Sequence, residues 1–165
     1  MKKIFIKLTC IFLLCFPVFN SSAITEINSA HNLSQKEWSQ ASSWKKMGKH
    51  DGFTYYFFTS SICETNEDNH NYISCALKLE DKNPDFLSGV RNCPGFAHFS
   101  FMIDTYEFDL SNQTYRFISR MFIDTAGDVI YTKTANSKWY PQDENSEIKF
   151  ISKWIKKNYN CQNKL

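Results

Sequence analysis

Apolar and polar side chains alternate along the middle of the chain. Residues 53–59 are aromatic or β-branched throughout, which is typical of a strand. In residues 72–80 every second side chain is apolar, which predicts a strand with one wet face; the apolar positions are Ile73, Cys75, Leu77 and Leu79. The acidic, amide-rich segment 64–71 is predicted to be the loop of a hairpin between these two strands.

The next segment, residues 81–95, contains turn-forming and helix-breaking residues. Pro84, Gly89, Pro94 and Gly95 all fall within it, so we predict that it is mainly loop. Pro94 follows Cys93 directly and disfavours helical backbone there.

Alternation returns at Phe96 and predicts three strands joined by short turns. Phe99, Phe101 and Ile103 share one parity, whereas Tyr106, Phe108 and Leu110 take the other, which predicts a bulge or a bend near Thr105. The turns are predicted at residues 111–113 and 124–128, where Gly127 can adopt a positive φ. The strand after the first turn covers residues 115–125, and the strand after the second covers residues 129–134. Together with the strand that begins at Phe96 they form an antiparallel meander.

The last element has helical periodicity. Ile148, Ile151, Ile155 and Tyr159 recur at three- and four-residue spacing, with Trp154 beside them, as on the apolar face of an amphipathic helix. Acidic residues lie near the start of the predicted helix and lysines near its end, which suits the helix dipole. The pattern therefore predicts an α+β, β-rich fold, in which a C-terminal amphipathic helix covers an antiparallel meander sheet.

The N-terminus has the three parts of a secretory signal peptide. A basic start is followed by the apolar run Leu8–Phe19 and by small residues ending at Ala23. The run is shorter than the roughly 20 residues that span a bilayer. We therefore expect cleavage after Ala23, a polar arm over residues 24–43, and one domain over residues 44–165 that is not an integral membrane protein. Leu14 precedes Cys15 where lipidation requires a small residue, so we expect no lipid anchor.

Signal cleavage changes the charge balance. Of 19 Lys and Arg, three lie in the signal (Lys2, Lys3 and Lys7), so 16 remain against 17 Asp and Glu. A near-neutral domain has no bulk charge that favours nucleic acid or anionic lipid. We expect a protein partner and a location in the periplasm, at the cell surface or outside the cell.

Four cysteines remain after cleavage, and an even number in an oxidising compartment predicts two disulfides. Three connectivities are possible. Cys63 and Cys75 lie close across the predicted hairpin, so we expect them to pair, which leaves Cys93 for Cys161. The spacing of these residues does not match a zinc site.

No catalytic motif occurs in the sequence, and we predict that the protein is not an enzyme and needs no cofactor or metal. His98 is a candidate base for a small hydrolase, although a lone histidine in an aromatic strand is more often structural. Glu64, Asn66 and Asp68 alternate as in a calcium loop, but the glycine and the later glutamate of that motif are missing. Asn32 and Asn112 begin glycosylation sequons, which matter only in a eukaryotic secretory pathway.

Two basic clusters are candidate surfaces for a protein partner. Arg116, Arg120 and Lys133 fall on adjacent predicted strands, where side chains on one face form a patch. Lys153, Lys156 and Lys157 lie near the end of the predicted helix. The alternative for either cluster is a solvated face without a partner.

Several short motifs between Trp44 and Cys161 resemble the surface-adhesin protein E family. A strand with an acidic end precedes a Tyr-Arg strand, a glycine turn, a tryptophan and a late cysteine; these are Tyr106–Asp109, Thr114–Ser119, Asp124–Ile130, Trp139 and Cys161. Upstream, Trp44, Tyr55–Tyr56 and Ser61–Ile62 match the opening strands. Leu110 stands where the family commonly has a cysteine.

The resemblance implies a small exported bacterial domain, an antiparallel sheet with a packed helix, whose namesake is an adhesin for host matrix and serum proteins. The missing cysteine and the lack of a lipid anchor both depart from that pattern. We therefore predict an exported, non-enzymatic protein-binding domain. The alternative is a periplasmic inhibitor or immunity protein that inserts the 64–71 loop into a partner enzyme.

Overall fold

The computed structural model describes residues 44–61, 63–67, 70–135 and 138–159. Within them lie eight strands: β1 (Trp44–His50), β2 (Phe53–Phe58), β3 (Cys63–Glu67), β4 (His70–Asp81), β5 (Phe99–Asp109), β6 (Thr114–Asp124), β7 (Val129–Thr134) and β8 (Tyr140–Pro141). The helices are α1 (Pro84–Arg91) and α2 (Ser146–Asn158), with 3₁₀ turns at Thr59–Ser61 and Gln142–Glu144. The predicted signal peptide and polar arm lie outside the described residues.

The strands form one antiparallel sheet in the order β1-β2-β4-β5-β6-β7, with β3 paired to β4 and β8 paired to β6. This confirms the predicted α+β, β-rich fold, its meander over β5, β6 and β7, and its C-terminal helix. The helix stripe is buried as predicted, since Ile148, Ile151 and Ile155 are at most 1% exposed and belong to the main core.

The sheet is apolar on both faces. We call the side under α2 the helix face; it holds the main core, in which Tyr55, Phe57 and Phe108 pack with the alternating residues of β4. A smaller cluster on the opposite face consists of Phe58, Ala76, Ile103 and Ile123, packed by Trp44, Phe101 and Met121. The predicted alternation of Ile73, Cys75, Leu77 and Leu79 is confirmed, because all four belong to the main core.

The predicted hairpin loop over residues 64–71 was wrong. Cys63–Glu67 forms β3, which pairs with the first half of β4, while β2 pairs with its second half. Ser61 stabilises the junction between β2 and β3, because its hydroxyl donates to the Phe58 carbonyl at 2.7 Å and accepts from the Ala76 amide at 2.8 Å. These polar residues form a strand because the backbone of the long neighbouring strand β4 supplies their hydrogen-bond partners. The local sequence pattern does not show that such a partner is present.

The prediction that residues 81–95 are mainly loop was also wrong, since they contain α1. Pro84 occupies the first turn, where its missing amide costs nothing, and the Asn83 side chain caps the helix by accepting from the Asp85 amide at 3.0 Å. Phe86, Leu87 and Val90 turn towards the main core. Pro84, which would break a helix in its interior, therefore starts one here.

The predicted bulge near residue 105 is confirmed in position, but the extra residue is on the other strand. Thr105 pairs with Ser119 and Tyr106 with Phe117, so Ile118 of β6 has no partner in the register. A second irregularity leaves out Ser100, between the pairs Phe99–Asp124 and Phe101–Ile123. Each extra residue reverses the facing of the side chains beyond it.

Both predicted turns are present. Gln113 ends the first with φ 53°, and Gly127 adopts φ 91° in the second. The Asp124 carboxylate accepts from the amides of Ala126 and Asp128, each at 2.8 Å. These local hydrogen bonds explain why an Asp and a Gly predict the turn correctly.

Candidate binding surfaces

Arg120 lies on the helix face, where it is held by a buried carboxylate. Its Nε donates to Asp104 Oδ1 at 2.7 Å and its Nη2 to Oδ2 at 2.6 Å. Asp104 is fully buried and also accepts from the Tyr106 hydroxyl at 3.3 Å. The bidentate pair uses the guanidinium within the fold, so Arg120 is poorly placed to contact a partner.

Glu147 approaches the same cluster from the first turn of α2. Its carboxyl is hydrogen-bonded to the Tyr55 hydroxyl, and burial raises its pKa above the ordinary value; the negative charge of Asp104 acts in the same direction. Burial is also the main cause of the raised pKa of Tyr55 and Tyr106. At neutral pH these tyrosines are hydrogen-bond donors rather than bases.

Arg116 lies on the opposite face. It pairs across the strands with Glu107, to which its Nε donates. Its guanidinium carbon lies 5.3 Å from the ring centre of Tyr72 and 4.8 Å from that of Trp139. The shared face predicted for Arg116 and Arg120 was wrong, because Ile118 is an extra residue between them and reverses the side-chain alternation.

Lys133 lies directly opposite Arg120 on β7, at the edge of the described sheet, and is exposed. The exposed large apolar side chains among the described residues are on β7 and β8; they are Val129, Tyr131 and Tyr140. Because Arg120 is paired inwards and Arg116 faces the other way, the first predicted cluster does not form one basic patch.

The lysines of α2 do come together. Lys149, Lys153 and Lys156 follow at four- and three-residue spacing and line an open depression of about 270 Å³ beside the turn of Gln142–Glu144. Lys157 is exposed next to this row but does not line the depression. We call Lys149, Lys153, Lys156 and Lys157 the lysine face. The sequence prediction omitted Lys149, although its helical spacing from Lys153 and Lys156 would have revealed it.

The wall of this depression is held by Gln142, which is 6% exposed. Its Nε2 donates to the Thr114 carbonyl at 2.8 Å and to the Asp109 carbonyl at 3.3 Å, and its Oε1 accepts from the Ser152 hydroxyl at 2.6 Å. These bonds tie α2 to the turn between β5 and β6. The helix that carries the lysine face is therefore hydrogen-bonded to the β5–β6 turn of the sheet.

A second cation, Lys78, lies among aromatic rings on the opposite face. Its Nζ is 4.6 Å from the ring centre of Tyr56, 5.2 Å from Phe101 and 5.5 Å from Trp44, and it pairs with Glu80 Oε1 at 2.9 Å. Stacked cations of this kind stabilise a sheet surface. Sequence reasoning missed this cluster, because its rings come from three strands that are distant in the chain.

The other candidate sites gain little from the fold. His98 is exposed in the turn before β5, and its carbonyl accepts from the Thr125 amide. Among the described residues no group of three or more His, Cys, Asp or Glu is arranged to hold a metal ion. Asn112 of the second sequon is exposed and donates to Asp109 Oδ2 at 2.7 Å. In the part of the chain that the structure covers, no helix is long and apolar enough to cross a membrane.

The predicted Cys63–Cys75 disulfide is not formed. The backbone register pairs Cys63 with Ser74 rather than with Cys75. Cys75 is a free, fully buried thiol in the main core, and burial raises its pKa. Cys93 is half-buried after α1 and its thiol lies 3.7 Å from the Gly89 carbonyl. Cys161 lies outside the described residues, so the Cys93–Cys161 pairing stays a prediction.

Comparison with known proteins adds no identification. A scan against protein-family models, a search of curated proteins and a search of solved structures each found no match. The resemblance to the surface-adhesin protein E family therefore rests on the sequence motifs alone.

Proposed function

We propose that this chain is an exported, non-enzymatic domain that binds a protein partner, and that the lysine face of α2 is its contact surface. The observation that carries the proposal is the row of Lys149, Lys153 and Lys156 along the open depression beside Gln142. Of the two basic clusters considered in the sequence, only this one forms a continuous exposed surface.

The charge and rigidity of this surface favour a partner with an acidic patch. A row of lysines attracts carboxylates and accelerates encounter, and the effect weakens with salt. The Gln142 hydrogen bonds hold the helix beneath the row, so the helix itself needs no ordering on binding. Binding of host matrix or serum proteins, as the family resemblance implies, is one form of this function.

A triple substitution tests the contact surface. We expect Lys149→Gln, Lys153→Gln and Lys156→Gln together to abolish crosslinking of a partner in the extracellular or periplasmic fraction by a photoreactive group that does not require lysine amines. The matched control changes three exposed lysines elsewhere, Lys46, Lys49 and Lys82, by the same total charge. The control should retain the parent's crosslinked partner, and raising the salt should weaken binding in the parent and in the control. Equal crosslinking by the two triple variants would refute the lysine face as the contact surface.

Export is tested separately. Mass spectrometry of the protein recovered from fractionated cells should find a chain that begins at Ile24, the residue after the expected cleavage. Full-length, reduced protein confined to the cytosol would contradict the proposal at its first step.

The alternative function, inhibition of a partner enzyme, is favoured by the β3–β4 hairpin. Beyond the junction at Ser61, β3 pairs only with β4 among the described strands, so the hairpin extends past the end of β2. Replacing residues 66–71 with a Gly-Ser linker should then abolish partner recovery while the triple lysine substitution leaves it intact. The opposite pattern would remove the inhibitor hypothesis.

A further inference from the structure

Two carboxyl groups and one guanidinium converge beneath the start of α2. Asp104 uses both oxygens to bind Arg120 and is fully buried. Glu147, the second residue of α2, lies close enough to interact electrostatically with both of them. One positive charge therefore faces two acids, and Asp104 already holds that charge by two short hydrogen bonds.

Glu147 has an oxygen that is not satisfied as a carboxylate. Its Oε1 is buried and has no hydrogen-bond partner among the described residues. A buried acceptor without a partner is costly when it is charged, whereas a neutral carboxylic acid loses much of that cost. The geometry therefore favours a proton on Glu147.

The surrounding groups act on this proton in both directions. The groups that interact with Glu147 from the packed strands are His50 of β1, Tyr55 of β2, Asp104 and Tyr106 of β5, and Tyr115 and Arg120 of β6. The helix N-terminus, Arg120 and the Tyr55 hydroxyl favour the carboxylate, as does His50. Burial and Asp104 oppose them, and burial is the largest influence.

We propose that Glu147, Asp104 and Arg120 form a proton-dependent latch that holds the first turn of α2 against the sheet. When pH rises, the O–H bond of the Glu147 acid breaks and the proton passes to water. The new carboxylate then gains by moving to solvent, which draws the first turn away from Tyr55. That turn is also held by Asn145, whose side chain accepts from the amides of Glu147 and Ile148, and by His50, 3.3 Å from the Ser146 hydroxyl. Opening breaks these contacts of the first turn, while the fully buried Ile151 and Ile155 hold the rest of α2 on the core, so opening is local.

The direction of the effect follows from proton linkage. A carboxyl whose pKa is raised by folding leaves the folded chain with more bound protons than the unfolded chain. Protection of the first-turn amides against hydrogen exchange should therefore fall as pH rises above about 4.3, the ordinary pKa of glutamate. The fall should continue up to the pKa of Glu147 in the folded chain and then level off. Below the ordinary value Glu147 makes no pH-dependent contribution, because both states hold the proton.

Amide hydrogen exchange from pH 4 to 8, corrected for the intrinsic exchange rate, tests the latch on the purified chain. We expect protection of residues 147–150 to fall about tenfold for each pH unit between the unfolded and folded midpoints. Glu147→Gln should abolish this fall. Glu144→Gln, which neutralises an exposed acid just before the helix, should preserve it.

Carbon-13 titration of the Glu147 side-chain carboxyl gives a second measurement that needs no variant. A midpoint clearly above 4.3 supports the latch even if Glu147→Gln does not fold. A midpoint at the ordinary value, or the same pH dependence in the parent and in Glu147→Gln, would overturn it. The latch does not depend on the proposed binding function, so either can fail alone.

Discussion

At the scale of single residues, burial decides what each charged side chain does. Arg116, Arg120 and the α2 lysines look equivalent in the sequence, yet they have different environments. Arg120 binds a fully buried carboxylate, Arg116 pairs with Glu107 and lies against the rings of Tyr72 and Trp139, and the lysines remain exposed. Only the exposed set is available to another molecule without breaking the fold.

Removing one member of the buried ion pair should cost far more than removing a surface charge. We expect Asp104→Asn to lower the free energy of unfolding by about 1.5–3 kcal/mol, because two charge-assisted hydrogen bonds are weakened while the Arg120 side chain, 30% exposed, stays partly hydrated. Urea denaturation at neutral pH measures the change. Asp143→Asn, an exposed acid on the 3₁₀ turn, is the control and should change stability by less than about 0.5 kcal/mol. Similar losses in both variants would contradict the assigned importance of the pair.

At the scale of elements, backbone hydrogen-bond partners decide where helices and strands begin. Asn83 and Pro84 start α1 inside a segment that otherwise has the composition of a loop. Ser61 occupies a similar boundary position, since its hydroxyl bonds the Ala76 amide where β2 gives way to β3. Single polar side chains thus define element boundaries that hydrophobic periodicity leaves unmarked.

The cap of α1 is testable by itself. Asn83→Ala should destabilise the protein by about 1 kcal/mol, because the Asp85 amide loses its acceptor at the helix start. Thermal denaturation of Asn83→Ala beside Asn83→Asp separates capping from packing, since aspartate can still accept that hydrogen bond. If the two variants were equally destabilised, the capping role would be excluded.

At the scale of the whole molecule, the two sheet faces differ, because one holds the main core and the other holds a smaller core cluster beside Lys78 and Arg116. The helix face buries the main core under α2, whereas Lys78 and Arg116 cover aromatic rings on the opposite face. Cys75 lies in the middle of the main core and is fully buried. Its accessibility therefore reports on the integrity of the whole fold.

Thiol labelling should follow global unfolding. We expect Cys75 to resist alkylation in the native protein at pH 8, because burial both blocks access and raises its pKa. It should react fully once denaturant has unfolded the chain. Peptide mass mapping identifies the labelled residue, and Cys75→Ala is the control for its assignment. Rapid native labelling, or a Cys63–Cys75 bridge in the non-reduced map, would contradict the described core.

The amino-acid sequence by itself determined the parts of this protein that are local. The alternation of β4, the turns around Gln113 and Gly127 and the apolar stripe of α2 all follow from neighbouring residues, because strand and helix periods and turn hydrogen bonds act over a few positions. The spacing of Lys149, Lys153 and Lys156 belongs to this class too, since helical geometry alone places them on one side.

The tertiary structure decided everything that needs a partner strand. The register between distant segments decides whether residues 63–67 form a strand. It also decides whether the bulge lies at Ile118 or in β5, and therefore which face of the sheet Arg116 is on. The same holds for the proposed proton on Glu147 of α2, which depends on Asp104 of β5 and Arg120 of β6. Burial and electrostatic interactions depend on which segments pack together in the folded protein, so local sequence patterns do not predict them.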